Sequence, residues 1–70
     1  MRKHSISIRG HRTSFSLEDA FWDELKAVAQ SRGVSMARLV TQIDDGRGPE
    51  VNLSSAIRVF VLEGLKKARN

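Results

Sequence analysis

The sequence predicts a small, mostly helical domain with one β-strand segment near its N-terminus. Three observations favour this class. Residues 12–17 alternate strictly between polar and apolar side chains, which is the pattern of a half-buried strand. Apolar residues recur at helical spacing in three later segments, over residues 18–32, 35–45 and 52–68. The 70 residues are enough for a single domain, 1–70, and for no more than that.

The strand segment has two chemically different faces. Its packed face is expected to carry Thr13, Phe15 and Leu17, and its polar face Arg12, Ser14 and Ser16. Residues 1–11 form a basic arm or strand in which Ile6 and Ile8 have the opposite parity. A bulge or turn must therefore intervene, and Gly10 is the expected place because glycine tolerates the backbone angles required.

Each predicted helix has a stop or start signal. Ser16-Leu-Glu-Asp19 resembles a capping box for the first helix, and Gly33 is suited to end it. Ser35 and Asn52 are expected to cap the second and third helices. The break between those two helices, residues 44–49, lacks the ligand spacing of a calcium loop and is interpreted as a plain loop.

The composition excludes several classes of protein. With no Cys there are no disulfides and no thiolate zinc site, so neither metal nor cofactor is expected. The longest apolar run, Val59–Leu62, is far shorter than the roughly 20 residues of a membrane span. The basic N-terminus has no apolar segment typical of a secretory signal. We therefore expect a soluble, cytoplasmic protein.

The apolar surface of the last helix favours a dimer. A core of this size rarely supplies more than about 3–5 kcal/mol unless the chain is stapled or oligomerised. Val59 and Leu62 widen the apolar surface beyond what one short helix can cover. An obligate homodimer is the expected solution.

Positive charge is concentrated at the two ends of the chain. The net charge is +4, yet residues 1–12 alone contain four basic residues and no acidic one. Residues 13–65 are mildly acidic, and three further basic residues follow in residues 66–69. This distribution favours a polyanionic partner, although two solvated termini would give the same pattern.

The order of these motifs resembles the ribbon-helix-helix DNA-binding proteins of the MetJ and Arc type. The matching stretch is Arg12–Ile43, and its best part is Leu25-Lys-Ala-Val-Ala-Gln-Ser-Arg-Gly-Val-Ser35. A subfamily of short bacterial members is similar in Gly10-His-Arg-Thr-Ser14, in Phe21-Trp22 and in Asn52-Leu-Ser-Ser-Ala-Ile-Arg58. The resemblance implies an intertwined homodimer in which two strands, one from each chain, form a two-stranded antiparallel β-ribbon. It also implies sequence-specific binding of double-stranded DNA and transcription regulation, typically repression.

One feature departs from this pattern. The family has one helix after the turn, whereas the break at residues 46–49 divides that region into two helices. Either Ser35 or residues 52–54 could supply the helix N-terminus that the family sets against a DNA phosphate. Ser35 is favoured because it follows the expected Gly-x-Ser turn.

The resemblance and the strand parity together assign the site residues. Arg12, Ser14 and Ser16 are expected to contact bases, because Arg can donate two parallel hydrogen bonds to guanine and Ser can bond to several bases. Ser16 is the weakest of the three, since capping competes for its hydroxyl. Phosphate contacts are expected from Arg2, Lys3, Arg9, His11, Ser35 and Met36. The dimer core is expected to contain Phe15, Leu17, Trp22, Leu25, Ile57, Phe60 and Val61.

Two other functions compete with DNA binding, namely catalysis and protein interaction. His4 and His11 are expected to be neutral surface side chains, and no catalytic set stands at a recognisable spacing, so an enzyme is not predicted. The alternative is a protein-interaction module such as an antitoxin-like partner-binding protein. The last helix reaches nearly to Asn70, which leaves no long tail to wrap a partner, but its apolar surface could bind one. Dimers could also associate further along DNA.

Overall fold

The computed structural model describes residues 1–68 and begins with a β-hairpin. Strand β1 (Arg2–Ile8) pairs antiparallel with β2 (His11–Leu17) through the turn Arg9-Gly10. Both turn residues have positive φ, 51° at Arg9 and 80° at Gly10, which is the geometry of a type I′ hairpin turn. A turn is therefore present where the opposite parity of Ile8 and Phe15 required one.

The strands β1 and β2 of one chain pair along their whole length. All seven residues of β1 pair with β2, from Ile8↔His11 to Arg2↔Leu17. The two-residue turn favours this pairing, because closing so short a loop costs little chain entropy. Within residues 1–68 no strand lies on the other edge of β2, and the ribbon between two chains that the resemblance implies stays a prediction.

Three helices follow the hairpin: α1 (Asp19–Arg32), α2 (Met36–Gly46) and α3 (Leu53–Ala68). Gly33 ends α1 in the left-handed conformation, at φ 67°. The Ser35 hydroxyl accepts a hydrogen bond from the Arg38 N–H at 3.1 Å, and Asn52 Oδ1 accepts one from the Ser55 N–H at 2.9 Å. The predicted caps of α2 and α3 are thus present.

The predicted capping box at the start of α1 is wrong. The N-cap of α1 is Glu18, whose side chain makes no cap hydrogen bond. Ser16 lies two residues upstream, inside β2, which extends to Leu17. An extended residue in that position cannot reach the first N–H groups of the helix, so the Ser16 hydroxyl is not used for capping.

The core lies between the hairpin and the three helices of one chain. Of the seven residues expected in a dimer core, Trp22 and Phe60 are half-buried against this core and the other five are buried in it. One chain therefore covers five of these seven side chains without a partner. The buried residues are Ile8, Phe15, Leu17, Leu25, Ala29, Leu39, Val40, Ile43, Leu53, Ile57 and Val61.

The outward side of α3 remains apolar and exposed. Val59, Leu62 and Leu65 each keep about half of their surface in contact with solvent, at 52%, 53% and 45%. Arg69, which contributes to the C-terminal charge, lies outside the described residues. Across residues 1–68, none of the helices combines the length and the apolar character that crossing a membrane requires.

Candidate nucleic-acid interface

The outer face of the hairpin is entirely polar. In the antiparallel register, residues that stand opposite each other project to the same face. On the outer face these are three cross-strand pairs, and only Ser16 among their members is half-buried rather than exposed. The pairs are Lys3 with Ser16, Ser5 with Ser14, and Ser7 with Arg12. We call these six residues the ribbon face.

The opposite face of the hairpin is held against the helices, and this fixes which side meets solvent. Phe15 and Leu17 are 5% and 0% exposed, and Thr13 is half-buried. The His4 ring stacks on Trp22 with centroids 3.7 Å apart and an interplanar angle of 7°. His4 is therefore half-buried, and the prediction that it is a surface side chain is wrong. The strand alternation correctly predicted that Phe15 and Leu17 point inward and that Arg12 points outward.

Arg12 is the longest hydrogen-bond donor on the ribbon face. Within residues 1–68 its guanidinium forms no salt bridge, whereas those of Arg2, Arg9, Arg47 and Arg58 all do. Folding thus leaves its five N–H donors available to a ligand. An exposed planar fork at the turn end of the ribbon face is suited to the O6 and N7 acceptors of guanine.

The two expected serines on β2 differ in their surroundings. Ser14 is exposed, and its hydroxyl lies 3.2 Å from the Ser5 hydroxyl, so the two form a cross-strand hydrogen bond. Ser16 is half-buried, and its carbonyl oxygen accepts a 2.7 Å hydrogen bond from the hydroxyl of Ser54. Ser14 is therefore the more accessible of the two.

Two of the basic residues expected to contact phosphates make ion pairs within the chain. Arg9 pairs with Asp44 at 3.7 Å and also with Asp45, both at the end of α2. Arg2 pairs with Asp19 at 3.4 Å, but both of those side chains are largely exposed. Exposed pairs of this kind contribute little and exchange readily. Two carboxylates hold Arg9 more firmly against α2.

The remaining candidates for phosphate contact are not paired in this way. Lys3 lies on the ribbon face, and His11 is exposed beside the turn. Met36 is half-buried in the first turn of α2, directly after the exposed cap Ser35. The N–H groups at such a helix end are suited to an anion.

The start of α3 lies directly against the ribbon. The hydrogen bond from Ser54 to the Ser16 carbonyl joins the first turn of α3 to the end of β2. Four residues later, the Arg58 guanidinium makes two hydrogen bonds to the Glu18 carboxylate, at 2.8 and 3.2 Å. These contacts position the N-terminus of α3 beside the ribbon face.

The Glu18–Arg58 pair makes the stability of this junction depend on pH. The hydrogen bonds from Arg58 lower the pKa of the Glu18 carboxyl below its ordinary value of 4.5. Because the folded pKa is the lower one, the stabilising contribution is complete above about pH 4.5 and is lost as pH falls through the lowered pKa.

We therefore expect the unfolding free energy, measured by urea titration, to fall as pH decreases below that value. Glu18→Gln is the control, because its amide does not titrate and its profile should be flatter in this window. Equal slopes for the two proteins would show that the pair contributes nothing to acid sensitivity.

A groove lies on the side of α3 that the hairpin does not touch. It has a volume of about 510 Å³ and lies between α2, the following loop and α3. Its apolar lining includes Val51, Val59 and Phe60, and Arg32 and Glu63 also line it. The Arg32 guanidinium stands 5.4 Å from the centre of the Phe60 ring, as in a cation–π contact.

Several residues of the interface are absent from the sequence-based prediction. Ser5 and Ser7 alternate with Ile6 and Ile8 in the sequence, but the pattern alone does not place their strand beside β2. The alternation itself was the available signal. Ser54, Glu18 and Arg58 had no such signal, because their contacts join residues about 40 positions apart.

Comparison with known proteins agrees with this geometry. A search of curated proteins and a search of solved structures each returned no significant match. The model of one family, described as a ribbon-helix-helix domain, matches residues 1–65, which is nearly the whole chain. With its antiparallel hairpin followed by helices, the chain belongs to the ribbon-helix-helix domain family.

Proposed function

We propose that the protein is a sequence-specific regulator of transcription, typically a repressor, that inserts its ribbon face into the major groove of double-stranded DNA. Ribbon-helix-helix domains are generally DNA-binding and non-enzymatic, and β-ribbons of this kind enter DNA grooves. The observation that carries the proposal is the ribbon face itself. Its six side chains are all polar, while the reverse side of the same hairpin is packed on the core.

The side chains of β2 have graded roles in this proposal. Arg12 donates a bidentate pair of hydrogen bonds to one guanine, and Ser14 donates to or accepts from a neighbouring base. Ser16, which is half-buried, contributes less. The Ser16 hydroxyl is not used to cap α1 and is therefore free of that competing contact. The backbone carbonyl of Ser16 nevertheless accepts a hydrogen bond from the Ser54 hydroxyl.

Residues around the ribbon face supply the phosphate contacts. Lys3 and His11 are unpaired among residues 1–68, and Arg2 needs only to leave one exposed ion pair. Arg9 must leave two carboxylates, which makes it the least favourable of the predicted basic contacts.

Two helix ends remain candidates for a phosphate. Ser35 and Met36 offer the free N–H groups of α2, as the sequence predicts. The first turn of α3 offers an equivalent set beside the ribbon, because Ser54 is bonded to the end of β2. We favour the α3 end, since a phosphate beside the ribbon face would meet it first.

Two chains associate in this proposal through the exposed side of α3. Val59, Leu62 and Leu65 are too exposed to be explained by the core of one chain. Pairing of two such surfaces would give a closed homodimer, and further dimers could align along DNA. The resemblance to short bacterial proteins and the need to reach DNA favour a bacterial, cytoplasmic protein without a cofactor.

The salt dependence of DNA binding tests the proposal. The logarithm of the binding constant should fall linearly with the logarithm of the salt concentration, by roughly 0.9 for each phosphate neutralised. Lys3→Ala should make this slope shallower by about one phosphate per chain. Lys66→Ala is the matched control, because Lys66 lies 12 residues beyond Ser54 on α3, about 18 Å along the helix.

Two results would contradict the proposal. An unchanged salt dependence of DNA binding in Lys3→Ala would mean that the ribbon face does not contact the DNA. A monomer in gel filtration that has no affinity for any duplex would instead support the protein-interaction module.

A further inference from the structure

The groove between α2 and α3 has the size and the lining of a small-molecule site. Such sites are usually clefts of about 300–1,000 Å³ with a mostly apolar lining and a few polar groups that orient the ligand. The groove has a volume of about 510 Å³, and the end of α2, the loop after it and α3 all line it. None of the six residues of the ribbon face belongs to the lining.

The apolar part of the lining is accessible to a ligand. Val51 and Val59 are 41% and 52% exposed, and the Phe60 ring beside them is half-buried. An apolar group in the groove would remove this surface from water, which is a favourable contribution to binding.

Two charged side chains of opposite sign also line the groove, Arg32 and Glu63. Both are exposed, and neither forms a salt bridge within residues 1–68. The Arg32 guanidinium stands over the Phe60 ring, 5.4 Å from its centre. Glu63 follows Phe60 by three residues and therefore lies on the same side of α3. The groove thus presents one cation and one anion near the same aromatic ring.

A third charged residue of the lining, Arg47, is already used by the chain. Its Nε donates a hydrogen bond to Asp44 Oδ1 at 2.6 Å, and its Nη1 donates one to the Val51 carbonyl at 2.7 Å. These bonds hold the loop after α2. A ligand therefore needs one anionic group, for Arg32, and no second one for Arg47.

We propose that this groove binds an apolar α-amino acid with free amino and carboxyl groups. Arg32 pairs with the carboxylate, Glu63 pairs with the ammonium group, and the apolar side chain packs against Val51, Val59 and Phe60. A plain carboxylate or a plain amine would satisfy one of the two charges and meet a like charge at the other. This ligand site goes beyond the proposed function, and its occupation needs no DNA.

The groove is distinct from the side of α3 through which two chains are proposed to associate. Leu62 and Leu65 do not line the groove, and Val59 alone belongs to both surfaces. A bound amino acid therefore leaves most of that surface available to a second chain.

The first experiment is a nuclear magnetic resonance titration of the full chain with L-phenylalanine and with L-leucine. The amide signals of Val51, Val59 and Glu63 should shift and saturate, while those of Arg12 and Ser14 on the ribbon face should not move. Phenylalaninamide lacks the carboxylate, and N-acetyl-L-phenylalanine lacks the ammonium group. Each should bind about two- to fivefold more weakly than L-phenylalanine, as expected for the loss of one exposed ion pair.

The second experiment assigns each charge of the ligand to its partner. Glu63→Gln should weaken L-phenylalanine about two- to fivefold and should not weaken N-acetyl-L-phenylalanine, because either change removes the same ion pair. By the same reasoning, Arg32→Gln should weaken L-phenylalanine and not phenylalaninamide. Glu24→Gln and Arg38→Gln are the matched controls, because both residues are exposed and lie outside the lining.

Two results would overturn this inference. One is the absence of saturable shifts at the groove with either amino acid at concentrations up to about 10 mM, where even millimolar affinities are detected. The other is a Glu63→Gln variant that binds L-phenylalanine as well as or better than the unsubstituted protein, since the ammonium group would then have no partner. Neither result bears on DNA binding, so the proposed function is tested separately.

Discussion

Arg12→Ala should lower the affinity for the preferred duplex by about 1–3 kcal/mol, or roughly 5- to 150-fold, and should relax specificity at one base pair. The reason is that an exposed guanidinium without an internal ion pair loses two hydrogen bonds to guanine when it is truncated. Fluorescence titrations against the preferred and a scrambled duplex measure both effects. The scrambled duplex should be affected much less.

Two further substitutions act as controls for this result. Arg12→Lys should rescue binding only in part, because an ammonium group lacks the planar fork that matches guanine. Thr13→Arg should damage folding rather than improve binding, because Thr13 is half-buried on the packed side of the hairpin. Equal losses on both duplexes in Arg12→Ala, with a well-folded and tighter-binding Thr13→Arg, would mean that the two faces are reversed.

Ile57→Ala should cost about 2–5 kcal/mol of unfolding free energy. Ile57 is fully buried in the second turn of α3, and truncating it leaves a cavity between that helix and the rest of the core. A domain of this size has a total stability of the same order, so the variant should be largely unfolded at 25 °C. Thermal melts followed by circular dichroism provide the measurement.

Leu62→Ala is the matched control on the same helix. Leu62 is 53% exposed in the single chain, so its truncation should leave the chain folded and weaken only the association of two chains in gel filtration. If Leu62→Ala unfolds the protein as Ile57→Ala does, the core depends on a second chain.

Local patterns were sufficient to predict the fold class. The alternation of residues 12–17 identified the strand and its inward face, because a half-buried strand imposes a period of two. The opposite parity of Ile8 and Phe15 required the turn at Gly10, and the family match over residues 1–65 agrees with the class. Ser35 and Asn52 were recognised as caps because capping depends on residues only three positions away.

The arrangement of the strands could not be predicted in the same way. Parity requires a turn before Phe15, but it does not say whether the partner strand belongs to the same chain. The positions of Arg9 and His4 depend on residues far along the sequence, Asp44 and Trp22. Ser16 was misassigned because a capping pattern depends on where the strand ends, and β2 continues to Leu17.

Protection of guanine from dimethyl sulfate tests the central claim most directly. This reagent methylates guanine N7 in the major groove and adenine N3 in the minor groove, so it reports which groove is occupied. If the ribbon face reads DNA, the bound protein should protect guanine N7 within the preferred duplex. Arg12→Ala should lose this protection at the guanine that Arg12 contacts. Unprotected guanines with protected adenine N3 would place the protein in the minor groove and contradict the account.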